Sequence, residues 1–385
     1  MSTVSSLPAP RLAAAPSGVP RLRHLGPNWY ATVMGTAIVA SAGAALPGRA
    51  LPRTALEAVW ALAAVALVAL LAARAGHWAR HRDQAARHLA DPAVAPFYGC
   101  LAMALLAVGG ATLSVGAGVV GERAAVAADA VLWTAGTVTG LVAAAGIPYL
   151  MVTRHRVAVG TASPVWLLPV VAPMVSAALG PALIAHLPAG QAREGMLLAC
   201  YALFGLSLLM TLVILPVVFS RLVHHGPLPL ALTPTLFLVL GPLGQSTTAV
   251  NNLADAAPGA IGGPYPAAMT AFAVLYGVPV MGFALLWLAF ATAMTVRAAR
   301  SGMGFAMTWW AFTFPIGTCV TGAAGLARHT GLHALTWLAV ALYAVLVAAW
   351  AVAAARTLAG LVSGRLLAAP APAPAAPAST TARTR

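Results

Sequence analysis

Long apolar runs set the plan of this chain. Ten can be drawn, at residues 28–46, 55–75, 95–119, 124–151, 164–186, 194–220, 230–252, 267–296, 303–326 and 333–362. Each is near or above the ~20 residues that a helix needs to cross a bilayer. The pattern predicts an all-α polytopic membrane protein with ten transmembrane helices. Links after the odd runs are short, so consecutive runs pair as helical hairpins. The first helices of these hairpins begin near residues 28, 95, 164, 230 and 303, at spacings of 67, 69, 66 and 73. Each unit leaves and returns on one side of the membrane, so the units share a topology and an axis along the membrane normal. Five such hairpins can close into a ring around that axis.

The two helices of a hairpin differ in their small and polar residues. The second run, from Ala55 to Ala73, has no Gly, Pro, Ser or Thr, and the tenth is nearly as plain after Thr336. The odd runs carry Gly35, Thr36 and Ser41; Gly109, Gly110, Thr112 and Ser114; Pro169, Pro173 and Ser176; Pro242, Gly244 and the QSTT that follows. The ninth holds MTWWAFTFPIGT (Met307–Thr318), where Pro315 removes a backbone donor and predicts a kink. Plain helices can face lipid, whereas helices rich in small and polar residues pack on each other or line a pore. The fourth run, with Thr134, Gly136, Thr137 and Pro148, departs from the rule. Odd inside and even outside is the better arrangement.

Composition supports this plan: 61% of residues are hydrophobic and 7% are charged, against ~25% charged in an average soluble domain. The net charge of +14 comes from arginine alone. In a soluble protein it would suggest nucleic acid; here the arginines mark the ends of spans, so nucleic acid is rejected as a partner. Sixteen arginines fall on the side of the termini and five on the other. That asymmetry predicts a multi-pass protein of the plasma membrane with both termini cytoplasmic. Residues 1–26 read as a disordered basic cytoplasmic tail, 27–362 as the ten-span domain, and 363–385 as a disordered Pro/Ala-rich cytoplasmic tail. Cys100, Cys200 and Cys319 are far apart in apolar runs and read as buried small hydrophobes.

The chemistry is conspicuous for missing charge. No Arg or His falls mid-run, and the seven acids lie in loops or within about two turns of a run's end. A proton-coupled carrier ordinarily needs an ionisable group in the membrane, so that mechanism ranks lower. An enzyme would need a catalytic cluster; no nucleotide loop, nucleophile elbow or zinc-protease motif is present, and no cofactor or metal is expected. Neutral helices rich in Gly and Pro suit an anion path, because kinked helices expose N–H groups and helix N-termini carry positive charge. The same residues also suit close helix packing. Candidate kink or lining residues are Pro315, Gly35, Gly109, Pro173 and Pro242. Candidate anion-binding residues are Gln245, Ser246 and Thr247, with Thr313 in the ninth run. Interhelical hydrogen bonding is the alternative for these, and is favoured for Asn251 and Asn252. Phe314 is either a plug or a core side chain, and Trp309 and Trp310 fit interfacial anchors. The loop HWARHRDQAARH, with His77, His81 and His88, reads as a basic segment facing anionic lipid, in preference to a metal site.

Three motifs carry a resemblance. PNWYATVMGTAIV (Pro27–Val39), GPLGQS (Gly241–Ser246) and WWAFTFPIG (Trp309–Gly317) resemble the tellurite-resistance/dicarboxylate transporter family. This family includes TehA-type proteins, fungal malate permeases and sulfite efflux pumps, and plant slow-type anion channels. The likeness covers roughly 27–360 and is closer to the fungal malate and sulfite branch than to the TehA type. It implies five hairpins in a quasi-five-fold ring, odd helices inside, and a pore blocked by a phenylalanine that matches Phe314. It also implies a homotrimer of separate pores and transport of small anions, such as C4-dicarboxylates or sulfite. A proton-coupled dicarboxylate carrier and a tellurite-resistance protein are the alternatives on the same fold.

Overall fold

The computed structural model describes residues 21–49 and 51–367, and all regular structure among them is helical. Most of the two expected tails lies outside the described residues. Ten long helices follow in order: α1 (Tyr30–Ala45), α2 (Arg53–Arg80), α3 (Gly99–Ala111), α4 (Glu122–Thr153), α5 (Leu167–Leu179), α6 (Gln191–His225), α7 (Leu240–Ala256), α8 (Tyr265–Arg300), α9 (Phe314–Thr330) and α10 (His333–Val362). Eight helical stretches among the described residues are long and apolar enough to cross a membrane. The stretches built on α1 and α7 are not among them. The first helix is only 16 residues long, and the 17 of α7 include Gln245, Ser246, Asn251, Asn252 and Asp255.

Each odd helix is preceded by a 3-10 segment, Pro27–Trp29, Ala95–Tyr98, Pro164–Trp166, Leu230–Val239 and Met307–Phe312, and all but the last run into their helix without a break. Pro27, Pro96 and Pro164 sit at the first positions of these turns, where a missing N–H costs no hydrogen bond. The odd helices touch in a closed cycle: α1 packs on α3, α3 on α5, α5 on α7, α7 on α9, and α9 back on α1. Every even helix packs on the odd helix before it and on the odd helix of the next hairpin, with α10 reaching α1. Link geometry holds the hairpins tight; Gly331 adopts φ +69, a left-handed conformation that lets α9 turn into α10 within two residues.

Burial separates the two sets. In the apolar stretches of α3, α5 and α9, 72–89% of residues are buried; in the even helices the share is 22–28%. Leu62, Val65 and Val68 on α2, Leu209 and Leu212 on α6, and Leu275 and Leu286 on α8 are exposed. Water would not tolerate so much exposed aliphatic surface; lipid does.

On the face where residues 21–26 lie, the HWARHRDQAARH loop keeps Trp78, Arg80, Arg82 and Arg87 exposed while its first histidine turns inward. Its helix breaks at His81, and a short helix Arg82–Ala90 follows. His77 is fully buried, and its Nδ1–H donates to the Leu22 carbonyl at 2.8 Å. Arg74 donates to the Leu25 carbonyl at 2.6 Å, and Arg23 pairs with Asp83 at 2.6 Å. Residues 21–26, expected in the tail, are thus tied to α2. His77 and His88 lie with near-parallel rings, centroids 5.5 Å apart, and no group of three or more metal-ligating side chains occurs among the described residues.

Burial, followed by the Arg74 and His77 charges, lowers the His88 pKa from 6.5 to about 4. A neutral His88 therefore stabilises this corner above pH 6.5. That contribution is lost as pH falls from 6.5 towards 4, because the open form binds the proton more tightly. Amides of residues 22–25 and 82–90 are expected to exchange faster at pH 5 than at pH 7.5, after correction for intrinsic rates. His88→Gln should flatten that dependence in hydrogen-exchange mass spectrometry.

Candidate functional site

The ninth span breaks where its sequence changes character. Met307–Phe312 is a 3-10 segment, Thr313 leaves the helical region at φ −99, ψ −81, and α9 starts at Phe314. The sequence predicted a kink caused by Pro315. Instead the break falls at Thr313, and Pro315 lies in the first turn of α9, where no backbone donor is required. The first bond of α9 runs from the Gly317 N–H to the Thr313 carbonyl at 3.0 Å. This break aims the Phe314 ring into the middle of the odd-helix cycle, where it is 2% exposed.

Two cavities meet at that ring. The larger, 240 Å³, lies towards the far ends of the odd helices, and all five odd helical stretches contribute to its wall. Its polar lining is Ser41, Ser114, Gln245, Thr248, Asn252 and Thr321, with Arg328 at the far end of α9. The smaller, 10 Å³, lies towards the starts of the odd helices and is walled by Met34, Met103, Leu167, Leu168, Val171 and Leu238, with Gly241 and Pro315. Such a volume is at the limit for one water. Phe314 is the one residue that lines both. The ring therefore separates a polar chamber from an apolar constriction.

Most polar groups of the chamber are bonded within the protein. Thr248 Oγ1 lies 2.7 Å from Thr321 Oγ1 and 3.2 Å from the Thr318 carbonyl, and Asn252 donates to the Ala178 carbonyl at 2.8 Å. Gln245 is different: it is 2% exposed, and its buried Oε1 has no partner. That oxygen can only accept, so it suits a donor such as water; an anion would be taken by the Nε2–H2 of the same amide.

Of the candidates read from the sequence, Phe314, Pro315 and Gln245 come together at the two cavities. The others line neither. Ser246 and Thr247 both donate to the Leu243 carbonyl at 3.0 Å, within α7. Thr313 Oγ1 donates to the Trp310 carbonyl at 2.7 Å. Gly35 lies beneath Thr313 and the Trp310 ring, and Gly109 faces Asp129 of α4. Pro173 and Pro242 are buried within α5 and the first turn of α7. For the glycines the packing alternative describes the structure. Trp310 is no interfacial anchor: it is buried and donates to Thr357 Oγ1 at 2.9 Å.

The sequence does not point to Ser41, Ser114, Thr321 and Arg328 as site residues; for Asn252 it favours interhelical hydrogen bonding, which the bond to the Ala178 carbonyl makes, and the residue also lines the chamber. Their signal was periodic. Gln245, Thr248 and Asn252 follow i, i+3, i+7, and Phe314, Thr321 and Arg328 follow i, i+7, i+14, so each set shares one helix face. The expectation of no ionisable group in the spans also needs correction. Asp129, two turns into α4, is 1% exposed, and both its carboxyl oxygens are buried without a partner.

A helical membrane protein whose inner helices enclose a polar chamber, closed at one end by an aromatic ring, belongs to the class of transporters and channels. Comparison with known proteins narrows the class. Residues 24–358 match the model of the SLAC1 family, described as voltage-dependent anion channel, and the chain belongs to that family. It is similar to an uncharacterized transporter of Methanocaldococcus jannaschii, 25% identical over 90% of this chain and 96% of that protein. It is also similar to the sulfite efflux pump of Arthroderma otae, 28% identical over 80% of this chain and 83% of the pump. The corresponding pump of Trichophyton rubrum is 30% identical over 48% of this chain and 50% of the pump.

Proposed function

We propose that the chain moves small anions, sulfite or C4-dicarboxylates such as malate, through a path along the axis of five hairpins, and that Phe314 is its gate. All ten long helices then span the bilayer, with odd helices inside and both termini in the cytoplasm. Each copy encloses its own path, in keeping with a homotrimer of separate pores. The observation that carries this reading is the position of Phe314 as the shared wall of two cavities lined by the same five spans. The sulfite arm is supported by the fungal pumps.

The chamber has hydroxyl and amide groups but one charged residue, Arg328. Weak, mostly neutral sites let an ion enter and leave again, as conduction requires. Uptake into proteoliposomes from a panel of sulfite, malate, succinate, nitrate and tellurite tests the proposal. Transport of none of them by wild type and by a folded Phe314→Ala variant overturns it. Gln245→Leu keeps the bulk and removes the amide. Loss of its Nε2–H2 donor is expected to weaken apparent anion affinity ~10- to 100-fold, the equivalent of one lost hydrogen bond to a charged group.

One observation favours a second reading, a proton-coupled carrier of the same fold. Asp129 is a buried carboxyl without a protein partner, inside a helix long and apolar enough to span the membrane. Coupled transport would track an imposed pH gradient, and Asp129→Asn would abolish that response while leaving voltage-driven flux intact.

A further inference from the structure

The mouth of the chamber carries a charged cluster that transport through a neutral path does not require. Arg328, at the end of α9, is the one charged residue lining the 240 Å³ cavity. Asp255, at the end of α7, lines a neighbouring 430 Å³ cleft that opens on the same face. The two side chains meet where these spaces adjoin, and Asn252 lines both. An Arg328 Nη2–H donates to Asp255 Oδ2 at 2.9 Å. The other carboxylate oxygen, Oδ1, accepts from His329 Nε2 at 2.7 Å. Asp255 therefore has two cationic or donor neighbours on successive residues of one helix, and it can be held by one while the other is engaged elsewhere.

We propose that Arg328 is the docking residue for an oxyanion entering from this face, and that Asp255 is a resident carboxylate which the oxyanion displaces. The inference rests on the transport reading and names the charge that selects its substrate. Three features support it. The guanidinium uses one nitrogen on Asp255, so its planar fork remains able to take a second pair of oxygens. Both partners are 45% exposed, and a pair so exposed is weakly held and open to exchange. His329 is only 11% exposed and stays on Asp255, so the carboxylate is not left unpaired when Arg328 turns away. The guest takes the place of Asp255 as the partner of the guanidinium, so it should resemble a carboxylate: two or more oxygens on one centre, as in a sulfur oxyanion or a carboxylic acid anion. A spherical halide lacks that geometry. From Arg328 the stripe Thr321, Phe314 leads inward along one face of α9.

The test uses purified full-length protein in phosphatidylcholine vesicles, with sulfite and chloride as probes. Arg328→Gln is expected to raise the half-saturating sulfite concentration ~5- to 10-fold, as loss of a charge-assisted pair does. Asp255→Asn, which removes the competitor, should lower it ~2- to 3-fold. The Arg328→Gln/Asp255→Asn double variant should match Arg328→Gln, because Asp255 acts only through Arg328. Arg328→Lys keeps the charge and loses the fork, so preference for sulfite over chloride should fall while chloride flux holds. Equal impairment by Asp255→Asn and Arg328→Gln, or additive effects in the double variant, overturns the proposal and makes the pair a structural tie. Thermal unfolding in detergent confirms that each variant is folded. Flux in wild type that none of these changes moves also overturns it, and leaves the transport reading standing. Absence of anion flux in wild type and Phe314→Ala alike removes the transport reading, and this inference with it.

Discussion

Phe314→Ala is expected to raise anion flux by on the order of ten- to a hundredfold, which corresponds to ~1.4–2.8 kcal/mol off the barrier. The ring is the wall between a 240 Å³ chamber and a 10 Å³ constriction. With alanine there the two spaces run together, and an ion reaching Gln245 no longer meets an apolar plug. The constriction below still has Met34, Met103 and Leu168 on its wall, so flux should rise without becoming that of an open aqueous pore. Phe→Ala in a packed core costs ~3–5 kcal/mol. Here the ring faces cavities above and below, so the loss of stability should be at the low end. Phe314→Leu should fall between the two in flux. The measurement is current across planar bilayers under symmetric sulfite or chloride, with unfolding temperature as control. A folded Phe314→Ala protein that conducts no better than wild type would sink the gate.

The architecture was legible in the sequence at the level of apolar runs, and less so at their ends. The long, plain even helices could hardly be missed, because lipid contact demands aliphatic side chains all round. Contrast between plain and small-polar helices also told inside from outside, since α3, α5 and α9 bury most of their length. What the runs did not reveal was local backbone. A proline announces a missing donor, but whether that donor was needed depends on where the helix starts. With α9 starting at Phe314, Pro315 is harmless and Thr313 takes the break. His77 looked like a surface residue by composition, yet the carbonyl of Leu22 draws it inward.

The candidate site was half legible. Phe314 and Gln245 were found through motifs and polarity. Ser246 and Thr247 were equally polar but turn their hydroxyls back on the Leu243 carbonyl. In a helix, adjacent residues differ by about 100° in direction, so a run of four polar residues cannot all face one cavity. Spacing by three, four and seven was the better guide, and it selects Thr248 and Asn252 along with Gln245. The burial of Asp129 is not legible from the sequence, because proximity to a run's end does not report exposure. Neighbouring Gly109 lets α4 approach α3 so closely that the carboxyl is covered.

Gly244→Ala is expected to be the most damaging single-methyl change in the GPLGQS segment, at ~1–3 kcal/mol or more of stability. A methyl at Gly244 would lie 2.5 Å from the Cys319 backbone nitrogen and 2.6 Å from the Thr318 carbonyl carbon. Flexible side chains can swing away from such a clash, whereas helix backbone cannot, so α7 and α9 must separate. Separation would strain the bonds that cross this seam: Thr318 Oγ1 to the Leu240 carbonyl at 3.3 Å, and Thr248 Oγ1 to the Thr318 carbonyl at 3.2 Å. The contrast is Gly241 in the same motif, where a methyl meets nothing within 4 Å. Gly241→Ala should therefore keep the wild-type unfolding temperature and act only on the constriction it lines. Unfolding curves of the two variants in one detergent separate these outcomes; equal loss of stability would show that the motif is not a backbone seam. The seam lies one turn past Phe314, so the helix that carries the ring is positioned by it. Gly244→Ala protein that survives folding should leak anions even with the phenylalanine in place, because a plug closes only against a wall that stays put.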